Sequence, residues 1–177
     1  FHTDPVGLLL SHRADWAIVS EVEQNDDVLF KPLFSYEMVG ICSKDHPLAN
    51  KEVWQAEDFA EETWVTYPVP DDMLDLYRQV LKPKGINPPR RTTELTIALI
   101  QLVASRRGIA TVPYWAALPY LEKGYVVARK ITEEGLYSNL YAAIRKEDAN
   151  LAYIEDFHQT VKAQSFSTLP GLSVLEF

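Results

Sequence analysis

Apolar and polar positions change period several times along this chain, and each change marks an element. Asp4-Pro5 has the form of a helix N-cap followed by proline in the first turn, so Val6 to His12 is predicted as a short helix. Asp15-Trp16-Ala17-Ile18-Val19 is a compact apolar run bounded by polar residues, which predicts a buried strand. Val28 to Phe34 and Tyr36 to Cys42 read as two strands on either side of a break at Phe34-Ser35, and Pro32 confines part of the first to an edge or bend. Lys44 to Leu48 is a turn-rich connector, Gln55 to Ala60 a short helix, and Trp64 to Tyr67 a short strand closed by Pro68. Asp71 and Asp72 suit the positive end of a helix from Met73 to Leu81, after which Pro83, Gly85, Pro88 and Pro89 force a loop.

The most regular pattern follows. From Glu94 to Arg107, apolar residues cover most of a helix circumference, which predicts a largely buried helix. Thr92 or Thr93 can cap it, Arg106 and Arg107 suit its negative end, and Gly108 can terminate it. Ile109 to Val112 is a strand stopped by Pro113, and Trp115 to Leu121 is helical. Gly124 turns into a Tyr125-Val126-Val127 strand, and Leu136 to Ile144 alternates as a strand. Ala149 to Ser165 is an amphipathic helix with Tyr153, Ile154, Phe157 and Val161 on one face, and the last stretch is a tail that docks or frays.

Strands alternating with helices predict an α/β fold with mostly parallel sheet order. Two strands, near Val39 to Cys42 and Leu140 to Ile144, are placed to bridge two lobes. The expected division puts approximately 1–43 and 131–177 in lobe I and approximately 44–130 in lobe II. A hinged fold of this kind takes its ligand in the cleft between lobes.

The chain has 177 residues, of which 47% are apolar and 24% charged, enough for a folded domain without disulfides. The single cysteine, Cys42, fits a reducing, cytoplasmic setting. No stretch reaches the length of a membrane span, and Phe1 reads as a cut rather than a natural start. A formal charge of −8 repels phosphate backbones, so the chain by itself is not expected to bind DNA. Arg90-Arg91 and Arg106-Arg107 read as solvated ends of elements.

Catalysis finds little footing. Cys42 with Asp45 and His46 has the residue types of a thiol nucleophile and base, but Cys42 ends an apolar strand and His46 precedes proline in a surface turn. His2, His12, His46 and His158 lack metal-ligand spacing, and no glycine-rich phosphate loop is present, so no metal or cofactor is expected.

Three stretches carry a family resemblance. Ala14-Asp15-Trp16-Ala17-Ile18, Asp45-His46-Pro47-Leu48-Ala49, and Leu102-Val103-Ala104 with Gly108-Ile109-Ala110 and Pro113 resemble, in order and spacing, the effector domains of LysR-type transcriptional regulators. The match runs from about Ala14 to Lys146. It implies a two-lobed, periplasmic-binding-protein-like (type 2) effector domain, dimers within a tetramer of the full-length protein, and DNA contact only through a winged helix-turn-helix domain that is not in this chain. The family's first strand-helix-strand unit is also absent before Phe1, which implies an N-terminally truncated domain with an incomplete pocket and an unpaired sheet edge. Within the family, Phe34-Ser35-Tyr36-Glu37, Thr66-Tyr67-Pro68-Val69 and Leu140-Tyr141-Ala142-Ala143 are similar to the regulators of methionine biosynthesis, which implies homocysteine as effector.

An amino-acid effector needs an anion site, an ammonium acceptor and a side-chain pocket. Thr92, Thr93 and Thr96 at a helix start suit a carboxylate, or they only cap the helix. Glu21, after Ser20 at the end of a strand, and Glu94 are ammonium candidates, or solvated acids. Thr66 and Tyr67 end another strand and face the ligand or the core, and Trp115 walls the side chain or packs. The rival outside regulation is a solute-binding protein of a transport system for a small amino acid.

Overall fold

The computed structural model describes residues 4–177, so His2 lies outside the described residues. The first half of the chain runs α1 (Pro5–Leu10), β1 (Ala17–Val19), β2 (Val28–Cys42), β3 (Val53–Trp54), β4 (Trp64–Thr66) and β5 (Arg90–Thr92). It continues through α2 (Thr96–Ala104), β6 (Ile109–Pro113), α3 (Tyr114–Glu122), β7 (Val127–Ile131), β8 (Leu136–Arg145), α4 (Ala152–Thr168) and β9 (Leu172–Ser173). Two compact units result: unit 1 is Phe1–Tyr36 with Ser138–Phe177, and unit 2 is Glu37–Tyr137. The chain crosses from one to the other inside β2 and β8.

In unit 1, α1 starts as its sequence predicts. The Asp4 carboxylate accepts the Gly7 N–H at 2.7 Å, with Pro5 in the first turn. The helix stops at Leu10, short of His12, which takes a left-handed φ of 54°. Val6 and Leu9 then pack on Val19, Val28, Phe30 and Ala143. β1 begins at Ala17 rather than Asp15 because the preceding residues serve Arg145. That buried guanidinium donates to Leu9 O at 2.9 Å, Ala14 O at 2.5 Å, Asp15 at 2.6 Å and Asp148 at 2.5 Å. A buried cation so surrounded has both its charge and its donors satisfied.

β2 is one strand of 15 residues where the pattern predicts two. Ser35 makes no break, because its hydroxyl donates to Ser138 O at 3.3 Å and its backbone pairs with Ser173 of β9. Pro32 is tolerated because the β9 and β6 ladders engage β2 only from Ser35 onward. The tail therefore docks: β9 pairs antiparallel with Ser35–Tyr36, and Phe177 stacks on Tyr141 at 5.7 Å.

α4 buries Ile154 and His158, whereas Tyr153 and Phe157 are 60% and 50% exposed. Of the face predicted from the apolar pattern, Ile154 is buried and Val161 half-buried, while Tyr153 and Phe157 stay largely exposed and His158 is buried in their place. A Lys31–Glu155 ion pair and the edge-on contact of Trp16 with Phe157, at 5.2 Å, help fix the rotation.

In unit 2, β4 lies between β5 and β6 and runs parallel to both. β6 and β7 are antiparallel to β2, while β3 is parallel to β7. The sheet is therefore mixed rather than mostly parallel. β5 and β6 run parallel and are joined through α2, whereas β6 and β7, joined through α3, both run antiparallel to the long β2. Gly40 lies under the Trp54 indole: a Cβ there would stand 2.4 Å from Trp54 Cε3.

The predicted Met73–Leu81 helix is irregular. A 3-10 turn at Asp71–Met73 ends at Leu74, whose backbone is extended, and a π-helical turn occupies Tyr77–Leu81. β5 was not foreseen, and its Arg90 is no solvated end. The guanidinium lies 5.1 Å from both the Trp64 and Tyr77 rings and pairs with Asp71. The strand expected at Tyr125–Val127 starts only at Val127 and runs to Ile131.

Candidate functional site

The parallel strands β4, β5 and β6 end along one edge of unit 2, where α2 and α3 begin. Carboxyl ends of parallel strands are where such sheets present ligand-facing groups. Most of the predicted site residues meet at this edge. Thr66 ends β4, is buried and stands in register with Thr92, which ends β5 and is exposed. The Thr93 N–H donates to Thr66 O at 3.0 Å. The Tyr67 hydroxyl and Thr96 Oγ1 share a hydrogen bond of 2.6 Å. Glu94 is exposed in the short turn before α2, and half-buried Trp115 lies in the first turn of α3.

Thr92 and Thr93 do not cap the helix, contrary to the sequence expectation. Both are committed to the β4–β5 pairing, so α2 starts only at Thr96. Leu95 takes the N-cap position, and its apolar side chain makes no cap hydrogen bond. The N–H groups of the first turn thus receive no acceptor from the N-cap residue, the usual source at a helix start. α2 is also less buried than predicted: Leu99, Ile100 and Val103 are covered, but Leu95 is 63% and Ile97 55% exposed. Its far end is closed by Arg106, at a φ of 59°, and not by Gly108. Gly108 is required for another reason: a Cβ there would lie 2.3 Å from Thr63 O.

Ser20 and Glu21 follow β1 in unit 1, and both are exposed. They succeed Val19, which pairs with Tyr141.

The residues weighed for catalysis have structural work. Cys42 is buried, and burial pushes its thiol up to about 11, against the weaker opposing pull of Arg129. Its thiolate is therefore scarce near neutrality. His46 is not the surface residue expected: its Nδ1 accepts the Leu48 N–H at 3.1 Å, and its Nε2 meets Glu62 at 3.1 Å. Among the described residues no His, Cys, Asp and Glu group is placed to hold a metal ion, and no helix is long and apolar enough to cross a membrane. Two cavities lie away from the β4–β5–β6 edge, one of about 190 Å³ beside Arg145 and one of about 490 Å³ beside Arg129. Both guanidiniums are engaged by backbone carbonyls.

What sequence reasoning missed is the pairing of Tyr67 with Thr96 and the uncapped state of α2. The second was signalled by Leu95, a poor N-cap residue, directly before the helix.

Comparison with known proteins gives a consistent answer. The chain is 86% identical over 175 residues to the HTH-type transcriptional regulator MetR of Haemophilus influenzae, covering 99% of this chain and 57% of that protein. It is 35% identical over 173 residues to MetR of Escherichia coli K12, covering 98% of this chain and 54% of the relative. The chain thus spans little more than half the length of these relatives. Among solved structures, the regulatory domain of MetR from N. meningitidis superposes with a TM-score of 0.92 at 66% identity, over 98% of this chain and 81% of that one. The effector-binding domain of QuiR, solved with shikimate, shares the fold at 23% identity with a TM-score of 0.73, over 90% of this chain and 77% of that one. The named relatives are regulators, which favours regulation over transport or catalysis. A family model described as the LysR substrate binding domain matches residues 2–165, and with that the mixed α/β architecture and the spacing of the sequence signals have one explanation: the chain belongs to the LysR substrate-binding domain family.

Proposed function

We propose that this chain is the part of a LysR-type regulator of methionine genes that binds homocysteine, and that its contact surface includes the β4–β5–β6 edge of unit 2. The observation that carries this reading is the hydroxyl cluster of Thr66, Tyr67, Thr92, Thr93 and Thr96 around a helix start whose N-cap residue, Leu95, offers no side-chain acceptor. Free N–H groups at the positive end of a helix, with hydroxyl donors beside them, suit a carboxylate. Glu94 is the exposed acid on this edge that suits an ammonium group, and Trp115 offers an apolar wall. Homocysteine is favoured among amino acids by the likeness to MetR regulators.

In this reading the effector binds one conformation of the regulator better than another and so shifts its population. DNA contact belongs to a helix-turn-helix domain outside this chain, self-association into dimers and tetramers belongs to the full-length protein, and the setting is cytoplasmic. The division of labour agrees with the charge of −8, which disfavours a direct grip on DNA.

Thermal unfolding with and without homocysteine tests the proposal, with methionine and cysteine as controls. A ligand at about 100 times its dissociation constant adds about 2.7 kcal/mol, or roughly 5–10 °C for a chain of this size. A rise specific to homocysteine, abolished by Thr66→Val with Thr96→Val, is the expected result. A rise that survives both substitutions removes the β4–β5–β6 edge from the site. The absence of any rise, here and in a chain extended upstream, removes homocysteine.

A further inference from the structure

α4 packs on the rest of unit 1 through two buried residues, Ile154 and His158, and the second is titratable. His158 is 3% exposed, and its Nδ1 is buried with no hydrogen-bond partner. The imidazole lies beside the Trp16 ring, tilted by 54° with centroids 6.4 Å apart, and the Trp16 Nε1 is likewise buried without a hydrogen-bond partner. The charged groups around it are Lys31 from β2 and Glu155 and Lys162 from α4 itself. Two of these three are cations. The one carboxylate is already engaged, by Lys31 and by the Gln159 amide at 2.7 Å.

A neutral imidazole suits this place, because its ring packs against an indole and carries no charge. An imidazolium does not, because it would bring a third cation into a buried setting. Burial first, and then Lys31, hold the His158 pKa below the ordinary histidine value of 6.5.

We propose that His158 is a pH-sensitive latch for α4: neutral, it seats the helix on unit 1; protonated, it unseats the helix together with the β9 tail that follows. The direction follows from proton linkage. The unlatched state binds the proton more readily than the latched state, so latching is complete above about pH 6.5 and weakens as pH falls toward the depressed pKa. Within that window the ratio of latched to unlatched helix falls by up to about tenfold per pH unit. Below it the loss levels off.

Hydrogen–deuterium exchange of the whole chain, at about pH 7.5 and about pH 5.5 and corrected for intrinsic exchange rates, tests the latch. The α4 amides are expected to lose protection on the order of tenfold at the lower pH, while β2 and β8 keep theirs. His158→Gln, which cannot take up a proton, and His158→Phe, which keeps an apolar ring beside Trp16, are each expected to make α4 protection independent of pH. The second variant covers the case in which glutamine simply fails to seat the helix. Equal protection of α4 at the two pH values in the natural chain overturns the proposal. So does an equal loss in His158→Phe, or a loss shared by every strand of unit 1, which would mark general acid destabilisation.

Discussion

The Tyr67 hydroxyl and Thr96 Oγ1 stand 2.6 Å apart, which ties the end of β4 to the first residue of α2. The N-cap residue Leu95 supplies no acceptor, so this bond fixes where the first-turn N–H groups are presented. Tyr67→Phe removes the phenol and leaves the ring. The expected cost is about 0.5–1.5 kcal/mol, read as a drop of a few degrees in melting temperature. On the proposed function, the same variant also weakens stabilisation by homocysteine, whereas a purely structural bond would leave the ligand-induced shift unchanged.

Arg90 is held between the rings of Trp64 and Tyr77 and pairs with Asp71. Arg90→Ala is expected to cost about 1–3 kcal/mol in urea unfolding, mainly from two cation–π contacts, with a smaller share from an ion pair whose Asp71 end is half-exposed. Arg90→Lys should recover only part of it, since a compact ammonium cannot stack flat on two rings. Full recovery by lysine would mean that charge alone matters there.

Gly108 approaches the backbone of the segment before β4, where Ile109 N donates to Thr63 O at 2.9 Å. Gly108→Ala would place a methyl group 2.3 Å from that same oxygen. The neighbour is main chain and can retreat only by breaking the β4–β6 pairing. A loss of about 1–3 kcal/mol is expected, with the chain still folding in the cold. An unfolding midpoint like that of the natural chain would contradict the close approach.

Cys42 supplies a chemical test of the interior. With its thiol buried and pushed up to about 11, it should resist a thiol reagent such as dithiobisnitrobenzoate at about pH 8 in the folded chain, and react fully in guanidinium. Reaction within minutes without denaturant would show that this end of β2 opens readily.

Much of this was readable from the chain alone, for identifiable reasons. Asp4-Pro5 specified the start of α1 because capping is local chemistry. Thr66, Tyr67 and Thr96 were legible as candidates because they close a strand or open a helix, and carboxyl ends of parallel strands and helix starts are where such folds present ligand-facing groups. Arg90 was misread because its partners, Trp64 and Tyr77, are distant along the chain, and β5 is three residues long beside two prolines. The burial of His158 in α4, and the exposure of Tyr153 and Phe157, escaped because rotation there is set by Lys31 and Trp16 as well as by the helix's own pattern. Ser35 looked like a break because its acceptor, Ser138, lies far down the sequence. Local rules found the caps and the strand ends, and only folding supplied the distant partners.

The family model stops at residue 165, yet the residues beyond it are ordered: β9 pairs with Ser35 and Tyr36, and Phe177 reaches Tyr141. A strand held by its main chain is indifferent to most side chains but not to spacing. The segment between the end of α4 and Leu172 should therefore accept changes of spelling far better than changes of length. A single inserted residue would move Leu172 to the opposite face of its pairing, and a deletion would leave Phe177 short of its ring.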